Sequence, residues 1–128
     1  MAWTILFHDA FEAEFREMAQ SLQDELLAHA VLLREFGPGL GRPTVDTLKG
    51  SRHANMKELR FGWEGEVWRV AFAFDPRRQA ILLAGGDKAG ADQRRFYKRL
   101  IAVADARLDE HLATPAKRDK ERKHGKKT

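Results

Sequence analysis

The sequence predicts an α+β fold: two N-terminal helices packed on a curved antiparallel sheet of about four to five strands, plus a C-terminal helix. Three observations predict it. Residues 9–36 place apolar side chains at helical intervals, residues 56–63 and 66–74 alternate about a tight turn at Glu64-Gly65, and residues 92–113 return to the helical interval. Helices and strands are segregated along the chain, so one sheet face is expected to take the helices and the other to stay open.

The segment "WTILFH" (3–8) is short, apolar and β-prone, and reads as a strand. "DAFEAEFREMAQ" puts Phe11, Phe15 and Met18 at helical spacing behind Asp9, an N-cap residue type. "SLQDELLAHAVLLREFG" restarts the pattern with Leu22, Leu26, Ala30 and Leu33; Ser21 and Asp24 resemble a capping box, and Gly37-Pro38 is a stop signal. A break near residue 20 therefore separates two helices. "GPGLGRPT" (37–44) is a loop, and "VDTLKGSRHAN" holds a short strand and a turn. Strands follow at 56–63, 66–74 and 80–86, the last apolar enough to be central, with a turn at "DPRRQ" (75–79). After the loop "DKAG", Asp92 caps a helix whose Phe96, Leu100, Ala104 and Leu108 share a face. From Pro115 the chain is poor in apolar residues, which divides it into a domain over 1–113 and a basic tail over 114–128 expected to be disordered.

A chain of 128 residues, 43% hydrophobic and 33% charged, has the length and composition to bury one core. It has no cysteine, which excludes disulfides and thiolate metal sites and fits a cytoplasmic protein. The N-terminus lacks a basic leader region, and no run approaches the roughly 20 apolar residues of a membrane span, so no membrane partner is expected. The net charge of +4 conceals an asymmetry. Residues 1–36 carry two Lys/Arg against seven Asp/Glu, residues 37–100 carry thirteen against seven, and residues 117–128 carry seven against two. A basic middle and tail beside an acidic first third point to an anionic partner for one surface, nucleic acid foremost.

Strand parity locates that surface. Leu59, Phe61 and Trp63 share one face with Trp68, Val70, Phe72 and Phe74, which suits packing against helices. Met56, Glu58, Arg60 and Gly62 share the other with Val67, Arg69, Ala71 and Ala73. Glu58, Arg60 and Arg69 thus fall together on the face expected to be open, with Lys88 just beyond the next strand. Arginine forks suit phosphate, although a purely structural cross-strand Glu–Arg pair has the same sequence signature. Lys57 has the parity of Leu59 and reaches the surface at the strand end. Lys49 and Arg52, in the adjacent turn, extend a phosphate track or are simply solvated, and His53 is an acid or base at its rim or an exposed histidine.

The five histidines show no metal-ligand spacing, and "GGDKAG" lacks the Walker pattern. Neither a metal nor a cofactor is expected. Tyr97, the single tyrosine, sits in "RRFYKR" beside Arg94, Arg95 and Lys98, where it stacks on a base, donates a proton or marks a core boundary.

"TLKGSRHANMKELRF", then "WRVAFAF", an apolar strand, a lysine-containing loop and a helix starting "FYK" resemble the RelE/ParE superfamily of type II toxins, in its HigB-like and phage Gp49-like branch. The resemblance spans roughly residues 3 to 112 and implies a RelE-like fold. It also implies a toxin of a toxin–antitoxin system, held by a cognate helix-turn-helix antitoxin. RelE-like and HigB-like members cleave mRNA at the ribosome without metal, whereas ParE-like members poison DNA gyrase; an inactive RNA-binding relic is a third outcome. By motif, Arg69 matches the family's strand arginine, Tyr97 a tyrosine early in the last helix and Lys88 a basic residue after the last strand. The chain departs from the pattern at Met56 and Glu58, where RelE carries lysines. On the nuclease reading Glu58 takes the 2′-hydroxyl proton, Arg60, Arg69 and Lys88 stabilise the phosphorane, and Tyr97 or Lys88 protonates the leaving 5′ oxygen. Lys49, Arg52, His53, Lys57, Arg94, Arg95 and Lys98 are the RNA-binding candidates.

Overall fold

The computed structural model describes residues 2–87 and 92–113. Nine elements follow in order: β1 (Thr4–Phe7), α1 (Asp9–Arg16), α2 (Gln20–Phe36), a 3₁₀ turn (Gly37–Gly39), β2 (Val45–Thr47), β3 (Met56–Trp63), β4 (Glu66–Asp75), β5 (Gln79–Asp87) and α3 (Gln93–Ala113). The strands form one five-stranded sheet in the order β1-β5-β4-β3-β2. Its centre is the expected antiparallel meander. The N-terminal strand returns to pair with β5 in parallel, an arrangement its four residues did not announce.

Local chemistry explains the helix ends, with two corrections. Helix α1 is capped by His8, whose Nδ1 accepts from the Ala10 N–H at 3.1 Å, in place of Asp9, which opens the helix. Ala19 precedes α2 without a side-chain cap. The residues read as its capping box do other work: Asp24 accepts from Gln20 Nε2 at 2.8 Å, and Ser21 Oγ accepts from Trp63 Nε1 at 3.1 Å. The stop signal holds. Gly37 ends α2 at φ 53°, with its N–H on the Leu33 carbonyl.

The sheet is covered on both faces. On one, α1 and α2 bury Phe11, Leu22, Leu26 and Leu33 against Leu59, Phe61, Val70, Phe72 and Leu82, as parity required. Full burial of each such side chain contributes about 1.5–3 kcal/mol. The expectation of an open second face is corrected: α3 lies on it and buries Leu100, Ala104 and Leu108 against Met56, Ala71, Ala73, Ile81 and Leu83. The small residues Ala71 and Ala73, both fully buried, are there so that a helix can approach closely. Strand β5 does not alternate evenly between the two faces. The ladder between β4 and β5 slips between Ala71 and Phe72, leaving Leu83 unpaired, so Leu83 and Ala84 both join the α3 side.

Candidate active site

The β3–β4 register sets Arg60 opposite Arg69 and Glu58 opposite Ala71, which makes Glu58 and Arg69 diagonal neighbours on the α3 face. Arg69 Nε lies 3.7 Å from Glu58 Oε1, and Arg69 Nη1 donates to the Val67 carbonyl at 3.1 Å. Tyr97, one turn into α3, donates its hydroxyl to the same Glu58 Oε1 at 2.9 Å, and the Arg69 guanidinium sits 5.7 Å from the Tyr97 ring centroid. Burial pushes the Tyr97 phenol above its ordinary pKa, and the Glu58 carboxylate pushes it further, while Arg69 partly opposes both. The phenol is therefore held protonated at neutral pH.

The cluster is tight and largely covered. The side chains of Glu58 and Arg69 are 7% and 11% exposed. Among the described residues the buried Arg69 Nε–H finds no hydrogen-bond acceptor, although guanidinium donors buried this deeply are normally satisfied. A polar group left in that state is poised for an incoming oxygen.

Arg60 corrects the picture of two guanidiniums meeting one carboxylate. It turns away from Glu58, donating Nε–H to the Pro43 carbonyl at 3.2 Å and placing Nη2 3.9 Å from Asp46 Oδ2. Asp46 also pairs with Arg42 at 3.2 Å; the Arg42 hydrogen bond, with the Thr47 N–H, holds its carboxyl below the usual carboxylate range. One arginine and one phenol, under the edge of a helix, take the place of two arginines on a bare surface.

The other basic candidates divide. Arg94, Arg95 and Lys98 are exposed on the first turns of α3, whose Arg94 and Arg95 N–H groups are capped by Asp92 Oδ1 at 2.8 and 3.3 Å. Lys49 is exposed in the β2–β3 turn, and Lys57 is half-buried opposite Phe72. Arg52 and His53 are engaged elsewhere. Arg52 pairs with Asp109 through Nη2, and His53 Nε2 meets the other oxygen of Asp109 at 2.8 Å. Buried Asp105 completes this latch, accepting from Ser51 Oγ at 2.5 Å and from the Arg52 N–H at 3.3 Å. Lys88 and the tail 114–128 lie outside the described residues.

Asp105 and Asp109 were missed by sequence reasoning, yet a signal existed. Tyr97, Ile101, Asp105 and Asp109 recur every fourth residue and form one stripe of α3. Two carboxylates continuing an otherwise apolar stripe mark a polar docking contact, here with the β2–β3 loop. That contact anchors the C-terminal half of α3 to the β2–β3 loop.

Residues 13–109 match the family described as phage-derived Gp49-like protein. A Mycobacterium tuberculosis protein provisionally named toxin HigB2 is 53% identical over 106 residues, covering 77% of this chain and 52% of that protein. The chain thus spans about half the length of this relative. A second M. tuberculosis protein, provisionally named toxin HigB3, is 53% identical over 83 residues, covering 65% of this chain and 70% of that protein. Among solved structures, a mutant of the E. coli toxin RelE in the free state superposes with a TM-score of 0.54 at 13% identity, over 80% of this chain and 96% of that one. At that identity the likeness establishes a shared fold.

Proposed function

Since the chain belongs to the Gp49-like family, with HigB-named relatives and a RelE-like fold, we propose that it is the toxin of a toxin–antitoxin pair and blocks translation by cutting mRNA at the ribosome. The observation that carries the nuclease reading is the Glu58–Arg69–Tyr97 cluster, in which a buried carboxylate accepts from a protonated phenol at 2.9 Å and lies 3.7 Å from a guanidinium with an unsatisfied N–H.

These three groups supply what attack of a 2′-hydroxyl on the adjacent phosphorus needs. Glu58 takes the 2′ proton, Arg69 binds the non-bridging oxygens as charge grows on them, and the Tyr97 hydroxyl protonates the 5′ oxygen as its bond to phosphorus breaks. The products are a 2′,3′-cyclic phosphate and a free 5′-hydroxyl. Arg60 and the exposed Arg94, Arg95 and Lys98 take flanking phosphates. Admission of the substrate requires the first turns of α3 to ride outward, exchanging the Tyr97–Glu58 hydrogen bond for bonds to RNA. The catalytic step is residue-driven, and the ribosome supplies the positioning of the strand.

A cognate antitoxin is the second partner. The acidic helices α1 and α2 suit an antitoxin segment with basic groups, and α2 exposes Leu27 and Val31 one turn apart beside the outer edge of β1. Co-elution with the product of the neighbouring gene tests this.

Induction in bacterial cells followed by primer extension tests the function. The nuclease reading predicts discrete breaks in translated mRNA and an early halt in protein synthesis. Intact transcripts with a DNA-damage response would replace it with gyrase poisoning, and intact transcripts with ribosomal RNA binding alone would leave a non-catalytic relic.

A further inference from the structure

Helix α3 carries a second stripe at four-residue intervals, Arg95, Arg99, Val103 and Arg107, on the side away from Tyr97, Ile101, Asp105 and Asp109. This second stripe walls a cleft of about 620 Å³ between α3, the end of β5 and α1. The volume is that of a small-ligand site. Phe96, Leu100, Ala84 and Gly85 give it an apolar floor. Gly86 lets that floor close up, since a Cβ there would stand 3.3 Å from the Phe96 ring.

The charges are arranged for an anion. Arg107 is fixed at the inner end, donating to both Glu14 oxygens at 3.0 and 2.7 Å and to the Leu83 carbonyl at 2.8 Å. That pairing neutralises Glu14. Arg95 and Arg99 are exposed at the outer end, and neither has a carboxylate partner among the described residues. Three guanidiniums face two carboxylates, Glu14 and Asp87, so the cleft is net positive. Phe96 and Tyr97 are neighbours in sequence with ring centroids 5.2 Å apart, so the cleft and the Glu58 cluster are separated only by the width of the helix.

We infer that this cleft is a nucleotide-binding subsite for the same RNA strand, holding one nucleotide that flanks the scissile linkage. Its phosphate lies on Arg95 and Arg99, and its base rests on the apolar floor beside Phe96. This rests on the nuclease reading above and adds to it a place for the flanking nucleotide and two residues, Arg99 and Arg107, with no part in the chemical step. It accounts for two exposed arginines kept one turn apart over an apolar hollow, where a solubilising face needs no hollow.

The test is fluorescence anisotropy of the full chain with a labelled single-stranded oligoribonucleotide across a salt series. The Arg95→Ala/Arg99→Ala double variant is expected to bind about ten- to a hundredfold more weakly at low salt, with the log–log salt slope lowered by about 0.7, the worth of the one phosphate the two arginines share. A charge-matched Arg16→Ala/Arg34→Ala control, on helices α1 and α2, should bind as wild type. Circular dichroism confirms that each variant is folded. Unchanged affinity and slope in the Arg95/Arg99 variant, with RNA still bound by the wild type, would overturn the subsite and leave the Glu58 cluster standing. Equal weakening in the control would reduce the cleft to general charge and overturn it too. A wild type that neither binds nor cuts RNA would remove the nuclease reading together with this inference.

Discussion

Tyr97 Oη and Glu58 Oε1, 39 residues apart in sequence, are joined by a 2.9 Å hydrogen bond that pins the start of α3 to the second sheet face. The carboxylate it reaches is buried, so this donor serves stability as well as chemistry.

Tyr97→Phe keeps the ring and removes the donor. It is expected to lower stability by about 1–3 kcal/mol, measured by urea unfolding, because Glu58 then loses a hydrogen bond it cannot replace with water. RNA cleavage should fall with it, since the leaving oxygen loses its acid. A variant as stable and as active as wild type would show that the bond is incidental.

The same phenol predicts an alkaline response. Its folded pKa is raised above the ordinary 10.0, first by burial and then by Glu58. In the window above pH 10 the unfolded chain has lost this proton while the folded chain still holds it, so stability is complete below that window and declines as pH rises through it. As the chain has one tyrosine, absorbance of the phenolate follows this group alone. Titration at the ordinary pKa would contradict the buried contact.

On the acid side Asp109, held below the ordinary carboxylate range by the Arg52 hydrogen bond and then by His53, contributes beside Asp46. Below the unfolded value near 3.8 the unfolded chain binds this proton before the folded one does, so the contribution is present above that pH and is lost as pH falls through the folded pKa. Asp109→Asn should flatten this part of the stability profile. Buried Asp105 is the more sensitive half of the latch: Asp105→Ala strands Ser51 Oγ and the Arg52 N–H and is expected to cost about 1–3 kcal/mol in urea unfolding.

Gly37→Ala tests the stop of α2. The residue has φ 53°, and an added Cβ would collide with the Trp3 indole. A loss of more than about 1 kcal/mol is expected in thermal or urea unfolding, and a neutral substitution would contradict the turn geometry.

Much of this architecture is legible in the sequence because alternation binds strand residues to faces. Phe61, Trp68, Val70 and Phe72 could pack on α1 and α2 only if Glu58 and Arg69 lay opposite, and they do. What that parity cannot say is whether the opposite face is wet. Ala71 and Ala73 read equally well as an uncrowded surface or as a helix seat, and the apolar Met56, Ile81 and Leu83 on the same side were the evidence for a seat. The parallel pairing of β1 was hidden because four apolar residues fit either edge of the sheet. Arg60 went astray for a local reason: Asp46, diagonal to it across β2 and β3, is more exposed than Glu58 and draws its guanidinium outward.

The most direct measurement is cleavage of an end-labelled mRNA on purified translating ribosomes by the wild type and by Arg69→Gln. With the variant folded by circular dichroism, a rate about a hundredfold or more below wild type is predicted, because the group that stabilises the phosphorane is gone. Cleavage by folded Arg69→Gln at the wild-type rate would contradict the placement of the reaction at Glu58, Arg69 and Tyr97.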